Sequence, residues 1–208
     1  ENVEMELTFS DGVIIETSAF QGCTGLKSIN FLGDVTKLGE KSFKDCYGLE
    51  AVSTIHVERI ESYAFDRCTS LKSHIEISQK TTFIGDFAFS SCTNISGNLI
   101  IPYTIKEIGV CAFAGCHSLT GLLSIPSSVK VIKNGCFWEC KNLKELDIGN
   151  GIETIEQSAF RNCPNIQGEL VIPYSCTSIG PWAFENCYGL TSIVLLDNLE
   201  TIGGRAFY

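Results

Sequence analysis

Eleven cysteines and three histidines are the residues of this chain best equipped for chemistry. Cysteines in that number could pair as disulfides, hold zinc as thiolates or supply a nucleophile. Zinc needs closely spaced pairs completed by further Cys or His. Cys136-x-x-x-Cys140 and Cys111-x-x-x-x-Cys116 are looser than that, and no His completes either set. An odd count leaves at least one thiol without an intrachain partner. Neither a Gly-x-Ser-x-Gly elbow nor a Walker-type glycine loop is present, and Gly149-Asn150-Gly151 reads as a turn.

What the cysteines do depends on where the chain puts them, and their placement is periodic. Cys23, Cys46, Cys68, Cys92, Cys116, Cys140, Cys163 and Cys187 each stand three residues after a phenylalanine. Those anchors, with Phe207 as the ninth, are spaced 23, 22, 24, 24, 24, 23, 24 and 23 residues apart. A fixed period in the low twenties is the signature of a stacked solenoid. In such a stack the eight thiols form a column of small buried hydrophobes, with parallel Cβ vectors that suit disulfide geometry poorly. Cys136 and Cys176 replace the Ala and Val of other copies and point inward. Cys111, in a variable slot, is the expected exposed thiol. His56, His74 and His117 fall at different repeat phases, so the period predicts three surface residues with no shared site. No metal, no cofactor and no enzymatic activity are expected.

One copy shows how the coil is built. Aligned on Phe113, apolar residues recur at Ile105, Ile108, Ala112, Cys116, Leu119, Leu123 and Ile125. Leu-x-x-x-Leu-x-Ile ends in the alternation of a short strand. Pro102, Pro126 and Pro173 stop that strand, because proline cannot donate to a ladder. Val-x-x-Ile-Gly reads as a second extended piece, and its glycine (Gly39, Gly85, Gly109, Gly180, Gly203) suggests a turn at positive φ. Ala-Phe-x-x-Cys is too short for an independent helix and reads as a turn or one helical turn. The longer copies add a residue near Gly97, Gly121 or Gly168, consistent with a bulge at the strand entrance. The 22-residue copy around Ala51-Val52-Ser53-Thr54-Ile55 should be distorted.

The pattern Ile-Pro-x-x-Val-x-x-Ile-Gly-x-x-Ala-Phe-x-x-Cys-x-x-Leu resembles the BspA-like leucine-rich repeat family, of the Treponema type with 23- and 24-residue repeats. Ile125-Pro126-Ser127-Ser128-Val129-Lys130-Val131-Ile132 and Ile108-Gly109-Val110-Cys111-Ala112-Phe113 carry the match. Departures are mild: Leu38 for Ile, Ser42 and Cys136 for Ala, Glu61 and Lys133 for Gly, Cys176 for Val. The resemblance implies a leucine-rich repeat solenoid, a right-handed coil of short parallel strands with a turn or short-helical convex side, in about nine repeats. It also implies a cell-surface or secreted protein that adheres to host matrix proteins, host cells or other microbes, and it brings no binding residues with it.

Composition narrows the partners. The net charge of −9 leaves no basic stripe for nucleic acid, and no apolar run is long enough to span a membrane. Residues 1–208 read as a single array. Because it starts within a repeat and stops at Tyr208, just after an anchor, it is expected to be a piece of a longer protein, monomeric or weakly associated end to end. The partner is then a protein, such as a host matrix or cell-surface protein, or a glycan. Alternatives are an intracellular, cytoplasmic scaffold, which the free thiols suggest, and a structural spacer. Asn94-Ile95-Ser96 is a glycosylation sequon whose Ile95 fills the core Leu slot.

Binding surfaces follow from the strand phase. The outward row comprises Asn30, Ser53, Glu76, Ile100, Ser124, Asp147, Val171 and Val194, a mixed small, acidic and apolar set. A second candidate is an aromatic patch of Tyr63, Phe87, Trp138 and Trp182. Three of these lie in the variable column two residues before each anchor, and exposed aromatics can anchor a partner.

Overall fold

A computed structural model describes residues 4–72 and 74–208 as a solenoid of parallel strands with no helix among the described residues. The anchor phenylalanines form its spine. All eight neighbouring pairs stack with ring centroids 5.2–5.6 Å apart and planes within 10° of parallel. Phe43 through Phe184 are essentially inaccessible to solvent. Offset stacks of this kind add about 0.5–1.5 kcal/mol per pair beyond area burial.

Three ladders run along the coils, the first two with interruptions. The first is the inner-face strand. Met5–Phe9, Leu26–Phe31 and Ala51–Val52 form one parallel sheet, Leu122–Ile125 pairs with Glu145–Ile148, and Gly168–Val171 pairs with Leu190–Val194. Alternate residues go inward: in Leu122–Ile125, Leu123 and Ile125 are buried and Leu122 and Ser124 exposed. The strand Leu122–Ile125 stops before Pro126, whose carbonyl then accepts the Val129 amide in a turn. Gly97, Gly121 and Gly168 have φ of 82°, 72° and 85°. The register shifts between Gly168 and Glu169, as expected of a bulge.

The second ladder consists of two-residue strands at the Val-x-x-Ile phase. Ile14–Ile15, Lys37–Leu38, Arg59–Ile60, Phe83–Ile84 and Glu107–Ile108 make one sheet. Val131–Ile132, Thr154–Ile155, Ser178–Ile179 and Thr201–Ile202 make another.

The third ladder runs through the Ala-Phe-x-x-Cys segment, which is a chain of turns rather than a helical turn. Amides two before the anchor, at the anchor and two after it donate to the next coil, as Phe87 to Val110, Phe89 to Ala112 and Ser91 to Ala114, at 2.7–2.8 Å. The intervening amides close turns within their own coil, as Ala88 to Gly85 and Ser90 to Phe87. Alternation of this kind twists the backbone into the left-handed region twice per coil. The column two before the anchor has φ of 51–60° at Ser18, Lys41, Tyr63, Phe87, Cys111, Gly135, Ser158, Trp182 and Arg205. The column two after it has φ of 56–73° from Gly22 to Asn186. β-branched residues tolerate that region worst, and neither column contains one.

The glycines of the Val-x-x-Ile-Gly motif correct the sequence reading. Gly39, Gly85, Gly109, Gly180 and Gly203 are not at positive φ. In these five coils the backbone of the preceding coil lies where a side chain would stand, whereas the same phase carries Glu16, Glu61, Lys133 and Glu156 in the other four. A Cβ on Gly109 would lie 2.3 Å from the Asp86 amide nitrogen, and one on Gly203 2.3 Å from that of Pro181.

The expected distortion around 51–55 is present and spreads. From the Leu six after an anchor to the Ile five before the next is 11 residues in the short copy (Leu49 to Ile60) and 13 in its neighbour (Leu71 to Ile84). Strands cannot keep register across that difference. The inner strand shrinks to Ala51–Val52 and the next coil is held by one bridge, Ile55 to Ile77. On the inner face the coil after that has only bridges Gly97–Leu119 and Ile100–Ser124, and among the described residues no inner-strand pairing joins Ile77's coil to Ile100's, although Phe83–Ile84 and Glu107–Ile108 still pair on the second ladder. The outward row is therefore not one continuous sheet.

Close approach and positive φ predict different tolerances at Gly109. Asn, which accepts positive φ, should fare no better than Ala there, each costing more than about 2 kcal/mol in urea unfolding. An Asn variant close to wild-type stability would restore the turn explanation.

Candidate functional site

The thiols are structural, and seven of them share a kind of partner that periodicity does not reveal. Cys46, Cys68, Cys92, Cys116, Cys140, Cys163 and Cys187 each place Sγ 3.0–3.3 Å from the carbonyl oxygen of the preceding coil's anchor Phe. That carbonyl also accepts the amide of its own coil's Cys in most coils, as Phe89 does from Cys92 at 3.2 Å. A cysteine here fills a small apolar slot and donates its S–H to a core carbonyl. All eleven cysteines are free. Burial pushes Cys46 and Cys187 up to about 12 and holds Cys116, Cys136, Cys140 and Cys163 well above the ordinary thiol value. Cys111, expected to be exposed, is half-buried, and so is Cys23 in the first coils.

Other side chains repeat the device. Asn94, Asn142 and Asn165 donate at 2.8–2.9 Å to carbonyls of the preceding coil. Asn94 of the sequon therefore has a structural role at an exposed position. Thr104, Ser128 and Ser175 donate likewise at 2.5–2.8 Å.

The histidines depart from the period's expectation. His56 and His74 line one cleft with Thr54 and Glu76, and all three histidines are half-buried. His117 stands 3.4 Å from the Glu139 carboxylate. No group of three or more His, Cys, Asp or Glu able to hold a metal ion occurs among the described residues.

Of the aromatic candidates, Tyr63 and Phe87 stack at 4.9 Å and 4°. Phe87 and Trp138 line a cleft of about 270 Å³ with Cys111, His117 and Glu139. Trp182 is not among its lining residues; it faces the Arg161 guanidinium at 5.9 Å. These rings cover the left-handed turns, and Lys44 lies 4.9 Å over Tyr63.

The sheet-face row is outward as read. Asn30, Glu76, Ile100, Ser124, Asp147 and Val171 are exposed, while Ser53 and Val194 are half-buried. Ile100 is 62% exposed, Val171 47% and the neighbouring Leu122 43%. Beside Ile100 the face is dented by two clefts of about 470 and 480 Å³.

A profile described as the BspA type leucine rich repeat region matches residues 5–120 and 120–208 in six copies. A leucine-rich repeat protein of Bacteroides ovatus superposes with a TM-score of 0.72 at 25% identity, over 98% of this chain and 61% of that one. The Treponema pallidum leucine rich repeat protein superposes with a TM-score of 0.64 at 27% identity, over 88% of this chain and 77% of that one. This chain thus spans less than two thirds of the first protein's length. No curated protein matches significantly.

Buried thiols predict an alkaline limit to stability. They stay protonated in the fold and ionise once unfolded, so above a pH of about 9 the unfolded state binds fewer protons and stability falls as pH rises. Each such thiol removes about 1.4 kcal/mol per pH unit until its folded value is reached. Urea melts under reducing conditions between about pH 8 and 10 should show a steep decline, shallower in Cys116→Val. A flat profile would mean that the column is open to water.

Proposed function

The chain belongs to the BspA-type leucine-rich repeat family, and on that premise we propose that it is a protein-binding module displayed at the cell surface, an adhesin that uses its inner sheet face and performs no catalysis. One observation supports that face: the aliphatic side chains of Ile100 and Leu122 stand in water there and line one cleft. Contiguous exposed apolar surface marks interaction sites on soluble proteins. The paired strands Leu122–Ile125 and Glu145–Ile148 fix one side of that face on a rigid support, which lowers the entropy lost on binding. The ligand class is protein, a host matrix or cell-surface protein, because aliphatic residues with few aromatics suit protein side chains better than sugar rings.

The eleven free thiols favour a second reading, an intracellular scaffold. Burial of most of them lets the first reading stand, because an unreactive thiol survives an oxidising exterior.

An antibody to this chain, applied to intact and permeabilised source cells, separates the two. Staining of intact cells is expected; staining only after permeabilisation would move the assignment to the scaffold. Replacing Glu76, Ser124 and Asp147 together by Lys should then lower the binding of the chain to host cells or matrix proteins by at least about tenfold, roughly 1.4 kcal/mol. Undiminished binding by that folded variant would remove the inner face from the account.

A further inference from the structure

The two inner-face clefts share Gln79 and Ile100 and so form one groove. Thr54, His56, His74 and Glu76 border one half, and Leu99, Ile101, Tyr103 and Leu122 the other. It lies where inner-strand pairing between Ile77's coil and Ile100's is missing, and Ile100 stands 62% exposed where the halves meet. The groove is apolar at its centre, and each half has room for a bulky side chain.

Charge along the outward strand rows has one sign. The outward strand positions form two rows. One holds Asn30, Ser53, Glu76, Ile100, Ser124, Asp147, Val171 and Val194. The other, two residues earlier, includes His74, Asn98, Leu122, Glu145 and Glu169. Across both, from Ser28 to Val194, there are four carboxylates, Glu76, Glu145, Asp147 and Glu169, and no Lys or Arg. Many acidic side chains elsewhere are matched to cations, as Glu107 to Lys133, Glu153 to Lys130 and Glu16 to Lys37, whereas others, such as Glu58 and Glu156, form no ion pair among the described residues. None of the four forms an ion pair among the described residues. Instead, Glu76 accepts from the Thr54 hydroxyl at 2.6 Å, Asp147 from Ser124 at 2.8 Å and Glu169 from Ser192 at 3.3 Å. Hydroxyl donors orient these carboxylates and leave their charge uncompensated.

We propose that this groove binds an extended segment of a partner protein in which bulky apolar side chains alternate with Lys or Arg. The apolar side chains enter beside Ile100 and Leu122. The cations reach Glu76 at one end and Glu145 and Asp147 at the other. Complementary charge speeds encounter and fixes register, while the buried apolar contact holds the segment. The assignment rests on the inner face being the binding face and adds the chemistry of what binds there.

Fluorescence anisotropy with a labelled peptide alternating Lys and Leu tests it, against counterparts with Glu for Lys and with Ser for Leu. The Lys–Leu peptide should bind, more weakly as salt rises, and both counterparts should bind at least about tenfold less tightly. Ile100→Ser with Leu122→Ser, at exposed positions, should weaken binding by about tenfold or more with an unchanged circular dichroism spectrum. Glu76→Gln with Asp147→Asn should weaken it and flatten the salt dependence. Ile14→Ser, on the second sheet, should change nothing. No binding of the Lys–Leu peptide, equal binding of the Glu–Leu peptide, or full binding by the Ile100/Leu122 variant would each overturn the proposal. A natural partner that is blocked by the inner-face Lys substitutions yet contacts the groove through acidic or polar groups would overturn this inference and leave the binding face intact. A partner indifferent to all inner-face substitutions would overturn the face itself.

Discussion

The interaction on which the rest depends is the alternating hydrogen bonding of the turn segment, in which every second amide crosses to the next coil. A strand donates to neighbours on both sides; this segment donates outward and inward in turn. The cost is two left-handed residues per coil, at positions filled by Tyr63, Phe87 and Trp182 as readily as by glycine. Such a residue costs roughly 1 kcal/mol. The return is that successive anchors are held face to face at 5.2–5.6 Å. With the phenylalanines fixed, the Cys column, the two-residue strands and the glycine contacts have little freedom left.

Close stacking also explains the choice of cysteine. The slot three after the anchor is small, apolar and bounded by a carbonyl of the coil before. Alanine would fill less of it and leave that carbonyl with one donor fewer. Serine would donate more strongly but bring a more polar atom into an apolar core. A thiol fills the volume and donates weakly, and burial keeps it protonated. The same arrangement makes the column unsuited to nucleophilic or metal chemistry, since both need the thiolate. Structural use and reactivity exclude one another here for a single electrostatic reason.

Periodicity made the anchors, the core and the strand phase legible, because each depends on residue type at a fixed distance from Phe. What it could not reveal depends on contacts between coils. Gly109 was readable as special but not why: positive φ and a close neighbour both call for glycine, and only the 2.3 Å approach to Asp86 decides between them. The left-handed columns left two faint marks, the absence of β-branched residues in both and the Gly, Asp and Asn of the column two after the anchor. His56 and His74 looked unrelated because phase counted from the anchors assumes equal coils. Counted from the following anchor, Ile55 matches Gln79, yet it pairs with Ile77. The short copy keeps register with its leading Leu and loses it later, and that slip carries His56 toward His74.

The same slip links architecture to function. A perfectly periodic array would present an unbroken sheet, with one side chain repeated at each step and no feature to tell one coil from another. Joining an 11-residue connection to a 13-residue one interrupts the inner strands for about two coils and opens the surface at Ile100, while the phenylalanine stack passes beneath unchanged. Length variation is confined to the stretch between the Leu and the second strand, so the core absorbs none of it. The fold thereby separates two demands: the turn side fixes the stack, and the strand side is free to vary in length, charge and apolar content. A recognition surface is best sought where that freedom has been used most, which in this chain is the groove from Thr54 to Leu122.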